Sequence, residues 1–134
     1  MRFERAKNTD YLLNILDLRN QKYVRKNSLK SNIISAKEHE LWFCNYIKKN
    51  KFYILKKKER FVGYIRIDKK SGDVSWATYK NFWGKVNFYK VLKKLTKKNH
   101  TARIKNTNQN SVVAAIKAGF IITSIRKGII KLKK

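Results

Sequence analysis

Between residues 51 and 79 three β-rich runs follow one another with almost no chain between them: KFYILK, FVGYIRID and DVSWATY. The links, KKER and KKSG, are short charged turns. Parallel neighbours need a crossover of about a dozen residues or more, so links this short leave only an antiparallel meander. That meander is the frame to which the rest of the chain must attach.

The flanking segments alternate strand and helix patterns. A strand is expected over residues 2–7. Thr9 can cap a helix running to about residue 20, with Leu12, Leu13, Ile15 and Leu16 turned inward. YVRKNSLKSNII reads as a polar, irregular stretch. Ser35 and Glu38 then form a capping box, in which each side chain satisfies a backbone donor at the helix start. The helix it opens carries Trp42, Phe43, Tyr46 and Ile47 inward and ends near Lys49.

After the meander, a helix is expected over 86–98, a strand at TARIK, and a helix at NSVVAAIKA stopped by Gly119. FIITSI and GIIKLK close the chain as a hairpin around Arg126, Lys127 and Gly128. The order is β-α-α-β-β-β-α-β-α-β-β. It describes an α/β fold with a mostly antiparallel mixed sheet and helices on both faces. With no proline, repeat or low-complexity linker in 134 residues, one domain over 1–134 is expected.

The net charge of +26 admits two explanations. A polyanionic partner such as RNA or DNA is one. The other is composition: the excess is mostly Lys, spread along a chain also rich in Asn, Ile, Tyr and Phe, all with AT-rich codons. Specific nucleic-acid readers depend more on Arg, whose planar fork matches phosphate and guanine. The tryptophans and tyrosines are too evenly spread to mark a base-stacking platform. No apolar run approaches the roughly 20 residues of a membrane span. MRFERAKNTD has no apolar core of a secretory signal, and Cys44 is alone, so a reducing cytoplasm is expected. His39, His100 and Cys44 lie too far apart for metal-ligand spacing, and no metal is expected.

NFWGKVNFYKVL, residues 81–92, joins a strand pattern to a helix pattern through a turn that holds Gly84. Such a junction suits an anion, because a helix start presents free N–H groups and the positive end of its dipole. Among possible acid–base groups, His39 has a convenient ordinary pKa, yet its helical spacing to Trp42 and Phe43 also fits packing. Asp73 and Asp68 flank DKKSGD, which is turn chemistry as well as a source of carboxylates. Tyr79 ends its strand, where an aromatic serves packing or proton donation.

Several of these stretches together resemble the GNAT superfamily of acyl-CoA-dependent N-acyltransferases, over nearly the whole chain. LRN (18–20), ISAKEHELWF (34–43), FVGYIRID (61–68) and ARIKNTNQNSVVAAIKAGF (102–120) look most like the branch acting on nucleotide-linked amino sugars. The last is the most specific, through Asn108, Ser111, Lys117, Gly119 and Phe120.

The resemblance implies transfer of an acetyl group from acetyl-CoA to a primary amine, with no metal. It implies that the strand of Trp76, Ala77 and Thr78 splays from its neighbour around a bulge and pairs with the pantetheine arm. Asn108 and Ser111 are implied on the same side. The loop of Trp83, Gly84, Lys85, Val86, Asn87 and Phe88 is implied to receive the pyrophosphate. There the family pattern asks for small residues where Val86 and Phe88 stand, so the loop is eroded, and Lys85 and Lys90 are placed to supply charge instead. Where many relatives place an acidic Tyr, this chain has Ala115. Arg19, Asn20 and Arg25 are implied on the acceptor side. From the residues themselves, Asp73 is the base candidate with Asp68 as the alternative, and His39 and Tyr79 are further catalytic candidates. A GNAT fold that has lost catalysis, and a small basic RNA- or ribosome-associated protein, are the alternatives to the acetyltransferase.

Overall fold

Residues 1–83 and 88–134 are described by the computed structural model. The meander forms as its links require: β2 (Lys51–Lys57), β3 (Arg60–Ile67) and β4 (Val74–Thr78) pair antiparallel in sequence order. The β2–β3 turn puts both Lys58 and Glu59 at positive φ, 50° and 65°, which matches the twist of a two-residue hairpin. β1 (Arg2–Arg5) joins the outer edge of β2, two residues shorter than expected.

The second sheet has the order β5-β7-β6, built from β5 (Thr101–Lys105), β6 (Ile121–Arg126) and β7 (Ile129–Lys133). The sequence pattern suggested one sheet; the structure divides it into two antiparallel ones. They touch where Asp73 and Thr101 form an isolated parallel bridge and the Thr101 N–H donates to the Gly72 carbonyl at 2.9 Å. Beyond that point β4 and β5 do not pair.

Among the described residues five α-helices cover the faces: α1 (Leu12–Arg19), α2 (Lys22–Asn27), α3 (Ala36–Lys49), α4 (Phe88–Leu95) and α5 (Gln109–Lys117). α2 lies inside the stretch expected to be irregular, and it buries no residue, which is why no apolar periodicity announces it. α1 starts later than expected, with Tyr11 rather than Thr9 at its cap position and no side-chain cap. Its inward residues are Ile15 and Leu18, whereas Leu13 is 71% exposed. α3 opens as its capping box predicts, the Glu38 N–H donating to Ser35 Oγ at 3.2 Å. α4 ends three residues before the expected 98. At the end of α5, Gly119 takes φ +101°, as a helix-stopping glycine should.

Alternation along the strands divides the interior between two clusters. Phe52, Ile54, Tyr64 and Ala77 meet Ile15 and Leu18 of α1 and Phe43 and Tyr46 of α3. Leu55, Val62, Ile65 and Val74 face the other way, onto Leu92 of α4 and Val112 and Ala115 of α5. β4 is clamped to β3 by close approach at Gly63. A Cβ there would sit 2.3 Å from the Ala77 carbonyl oxygen and 2.8 Å from Thr78 Cγ2. Among the described residues no helix is long and apolar enough to cross a membrane.

Candidate functional site

The divergence of β4 from β5 opens a cleft of about 930 Å³. Its floor is β4, and the hydrogen-bond pattern fixes what β4 presents there. The Tyr79 N–H donates to the Val62 carbonyl at 3.0 Å, and the Asp73 carbonyl accepts from the Asp68 N–H at 2.9 Å. In an antiparallel pair this bonding alternates along the strand. The odd-numbered residues 73–79 therefore address β3, and Trp76 and Thr78 turn their N–H and C=O groups outward. Trp83 donates its indole N–H to the Thr78 carbonyl at 3.4 Å. Trp76 sits opposite Ile65 of β3, and on its outward side it has no strand partner among the described residues. β4 is thus an open edge inside a cleft, ready to bond an extended, amide-bearing chain.

The β3–β4 register runs without a shift from Gly63↔Thr78 to Ile67↔Val74. The bulge expected in β4 is absent from its pairing with β3; the irregularity lies between β2 and β3, where Val62 is the extra residue opposite Leu55 and Lys56. Across the cleft, Asn108 and Ser111 at the start of α5 line the wall with Lys117. Asn108 makes no side-chain capping bond, so its amide remains available. Phe88 packs against Trp76 with ring centroids 6.0 Å apart.

The other end of the cleft is built from side chains of α1, α3 and β3. His39 is fully buried and holds two partners: its Nε2 lies 2.9 Å from the Leu12 carbonyl and its Nδ1 3.1 Å from Arg19 Nη1. A carbonyl only accepts and a guanidinium only donates. Nε2 therefore carries the proton, Nδ1 accepts, and the ring is neutral. Burial holds its pKa below the ordinary value, with Arg19 adding to the effect. Arg19 in turn lies 4.1 Å from the centre of the Trp42 ring, and Arg66 lies 5.3 Å from the same ring. Burial, reinforced by Arg66, lowers the pKa of Arg19.

No protein-family model and no curated protein matches this chain. Solved structures match it along its length. The ribosomal-protein-alanine N-acetyltransferase from Brucella melitensis is 15% identical, with a TM-score of 0.79 over 100% of this chain and 99% of that one. The spermidine N-acetyltransferase from Vibrio cholerae, in complex with CoA and spermine, is 11% identical, with a TM-score of 0.80 over 98% and 92%. A GNAT superfamily phosphinothricin acetyltransferase from Sinorhizobium meliloti, in complex with AcCoA, is 13% identical, with a TM-score of 0.79 over 99% and 86%.

The fold is that of the GNAT acetyltransferases.

On this GNAT fold the residues singled out from the sequence separate into groups. Trp76, Ala77, Thr78, Trp83, Phe88, Asn108 and Ser111 all line the cleft. Gly84, Lys85, Val86 and Asn87 lie outside the described residues. Arg19 and Arg25 line the opposite end. Asn20 does not: its side-chain amide donates to the Ile34 carbonyl at 2.8 Å and accepts from the Ile34 N–H at 2.9 Å, fastening the loop before α3.

Asp73 lines the cleft and is paired with Arg103 at 3.1 Å. Tyr79 points elsewhere, donating its hydroxyl to Asp17 Oδ2 at 2.5 Å. Burial and that carboxylate hold its pKa well above the ordinary value. Trp42 was expected only as core and Arg66 not at all, yet both line the cleft. The alternation of FVGYIRID, which puts Arg66 on the Tyr64 side, was the signal available for Arg66. Among the described residues no cluster of His, Cys, Asp or Glu is placed to hold a metal.

Proposed function

We propose that this protein transfers an acetyl group from acetyl-CoA to a primary amine of a small molecule, in a reducing cytoplasm. One observation carries the reading: the outward edge of β4 at Trp76 and Thr78, which no strand among the described residues pairs, forms the floor of the cleft. A pantetheine arm carries two amides in an extended chain, and such an edge offers it donors and acceptors at strand spacing. An N–H of the same edge suits the oxyanion of a tetrahedral intermediate, a contribution worth about 3–4 kcal/mol in comparable enzymes. Asn108 and Ser111 supply polar contacts from the facing wall. Neighbours of the same fold in complex with CoA or AcCoA support this assignment.

The amine must first lose a proton. Its nitrogen then bonds to the thioester carbonyl carbon, the C–S bond breaks, and the departing thiolate takes up a proton. His39 is a poor base here, since both ring nitrogens are engaged. Tyr79 is held by Asp17. Asp73, the one carboxylate among the described residues lining the cleft, holds Arg103 through Oδ2 but has only a long 3.5 Å contact from Thr101 at Oδ1, so that oxygen is the remaining base, acting through water. A nucleotide-linked amino sugar is the acceptor that the sequence resemblance implies.

The test is thermal stability with and without acetyl-CoA, followed by thiol release over a panel of amines. A ligand held by the native cleft must raise the melting temperature. No shift at millimolar acetyl-CoA would leave a GNAT fold without the activity. Asp73→Asn should lower turnover while leaving acetyl-CoA binding in place.

A further inference from the structure

Among the described residues the cleft is lined by six basic side chains, Arg19, Arg25, Lys30, Arg66, Arg103 and Lys117, and by the single carboxylate of Asp73. That carboxylate is already paired with Arg103. At the end of the cleft away from α5, Arg19 and Arg66 lie against one indole, at 4.1 and 5.3 Å from its centre. Neither has a carboxylate partner among the described residues. Arg19 is held in place by neutral His39, and nearby Arg25 has a buried Nε with no hydrogen-bond partner. Unpaired guanidiniums held side by side repel each other and lose hydration, and an arriving anion relieves both costs.

From this arrangement we infer that the acceptor amine carries an anionic group, phosphate or carboxylate, seated on Arg19 and Arg66 beside Trp42. The inference rests on the acetyl-transfer reading and names its substrate class. The same positive field does a second thing. It destabilises an ammonium in the cleft and so lowers its pKa, favouring the free amine that attacks the thioester. A polyamine, all cation and no anion, is the wrong ligand for such a site.

The experiment saturates the protein with CoA, which fills the donor end, and titrates inorganic phosphate, a nucleoside monophosphate, succinate and spermidine by calorimetry. Phosphate-bearing ligands or succinate should bind, and whichever binds tighter identifies the anion. Arg66→Met should weaken that binding at least tenfold, the loss expected for a charge-assisted hydrogen bond, and Arg66→Lys should restore part of it. Spermidine should not bind. Equal anion affinity in the native protein and a folded Arg66→Met variant would overturn the inference, as would preferential binding of spermidine. Failure of CoA itself to bind would instead overturn the acetyl-transfer reading. In that case the Arg66→Met comparison, run on the CoA-free protein, still tests the anion subsite.

Discussion

The two ends of the cleft are made of different material. At the β4–α5 end the recognition groups are backbone N–H and C=O, exposed because two strands diverge. At the α1–α3 end they are the side chains Arg19, Arg66 and Trp42, with Arg19 held by His39. A backbone site survives any sequence that preserves the strands, so neighbours only 11–15% identical keep the fold. A side-chain site changes with single substitutions. On the proposed reading, the donor is read from the fold, and the acceptor must be read from residues.

The sharpest way to break the backbone end is Gly63→Ala. The added Cβ would lie 2.3 Å from the Ala77 carbonyl oxygen, which belongs to a paired strand and cannot swing aside. Overpacking of this kind costs about 1–3 kcal/mol or more, and here it also displaces β4. Melting should fall by many degrees, and calorimetry should show acetyl-CoA binding lost with it. A Gly63→Ala protein that is stable and binds normally would mean that β4 is not the floor of the donor site.

His39→Ala breaks the other end. It strands the Leu12 carbonyl and frees Arg19, and each buried group left without a partner costs about 1–3 kcal/mol. Stability should fall by roughly 2–4 kcal/mol in a denaturant titration. In protein that remains folded, acceptor affinity should drop while acetyl-CoA affinity holds. Equal loss of both ligands would erase the distinction between the ends.

Asn108→Ala is the milder counterpart at the donor end. Its amide caps nothing, so folding should change little, whereas CoA binding should weaken by about 1–2 kcal/mol if the amide pairs with the ligand. An unchanged affinity would leave the β4 edge as the whole of the donor site.

What the sequence made legible follows the same division. The meander was readable because KKER and KKSG are too short for anything else. α3 was readable from Ser35 and Glu38, and α5 from Gly119. α2 was not, because six residues that bury nothing carry no periodic signal. Leu13 reads as inward by its apolar character, but Leu18 takes the buried position, since helix phase is set by packing on β2 and β3. Tyr79 drew attention as an acid because sequence shows the residue and not its partner, Asp17, 62 positions away. Arg66 sits in a strand that reads as core. Its role depends on which side of β3 meets Trp42, and only the three-dimensional pairing decides that.

The smallest effect concerns pH, and it bears on the side-chain end alone. Burial holds the pKa of His39 below its ordinary 6.5, because the native ring accepts from Arg19 at Nδ1 and has no room for a second proton. The unfolded chain binds that proton more readily than the native one. Stability is therefore complete above about pH 6.5 and is lost as pH falls from there through the lower native value. His100 shifts the same way, chiefly by burial, and its Nδ1 accepts from the Lys97 N–H at 3.0 Å, so it adds to the same slope. Asp68 acts in a separate window near its own lowered pKa, below the ordinary 3.8. Denaturant midpoints between pH 5 and 8 should accordingly fall on acidification. His39→Gln should flatten part of the fall and His100→Gln the rest. Acceptor binding should weaken over the same range only through His39, since protonating Nδ1 releases Arg19, while His100 lies beside the second sheet. If His100→Gln removes the whole slope, His39 does not titrate in this range, and Arg19 is held by packing on Trp42 rather than by the imidazole.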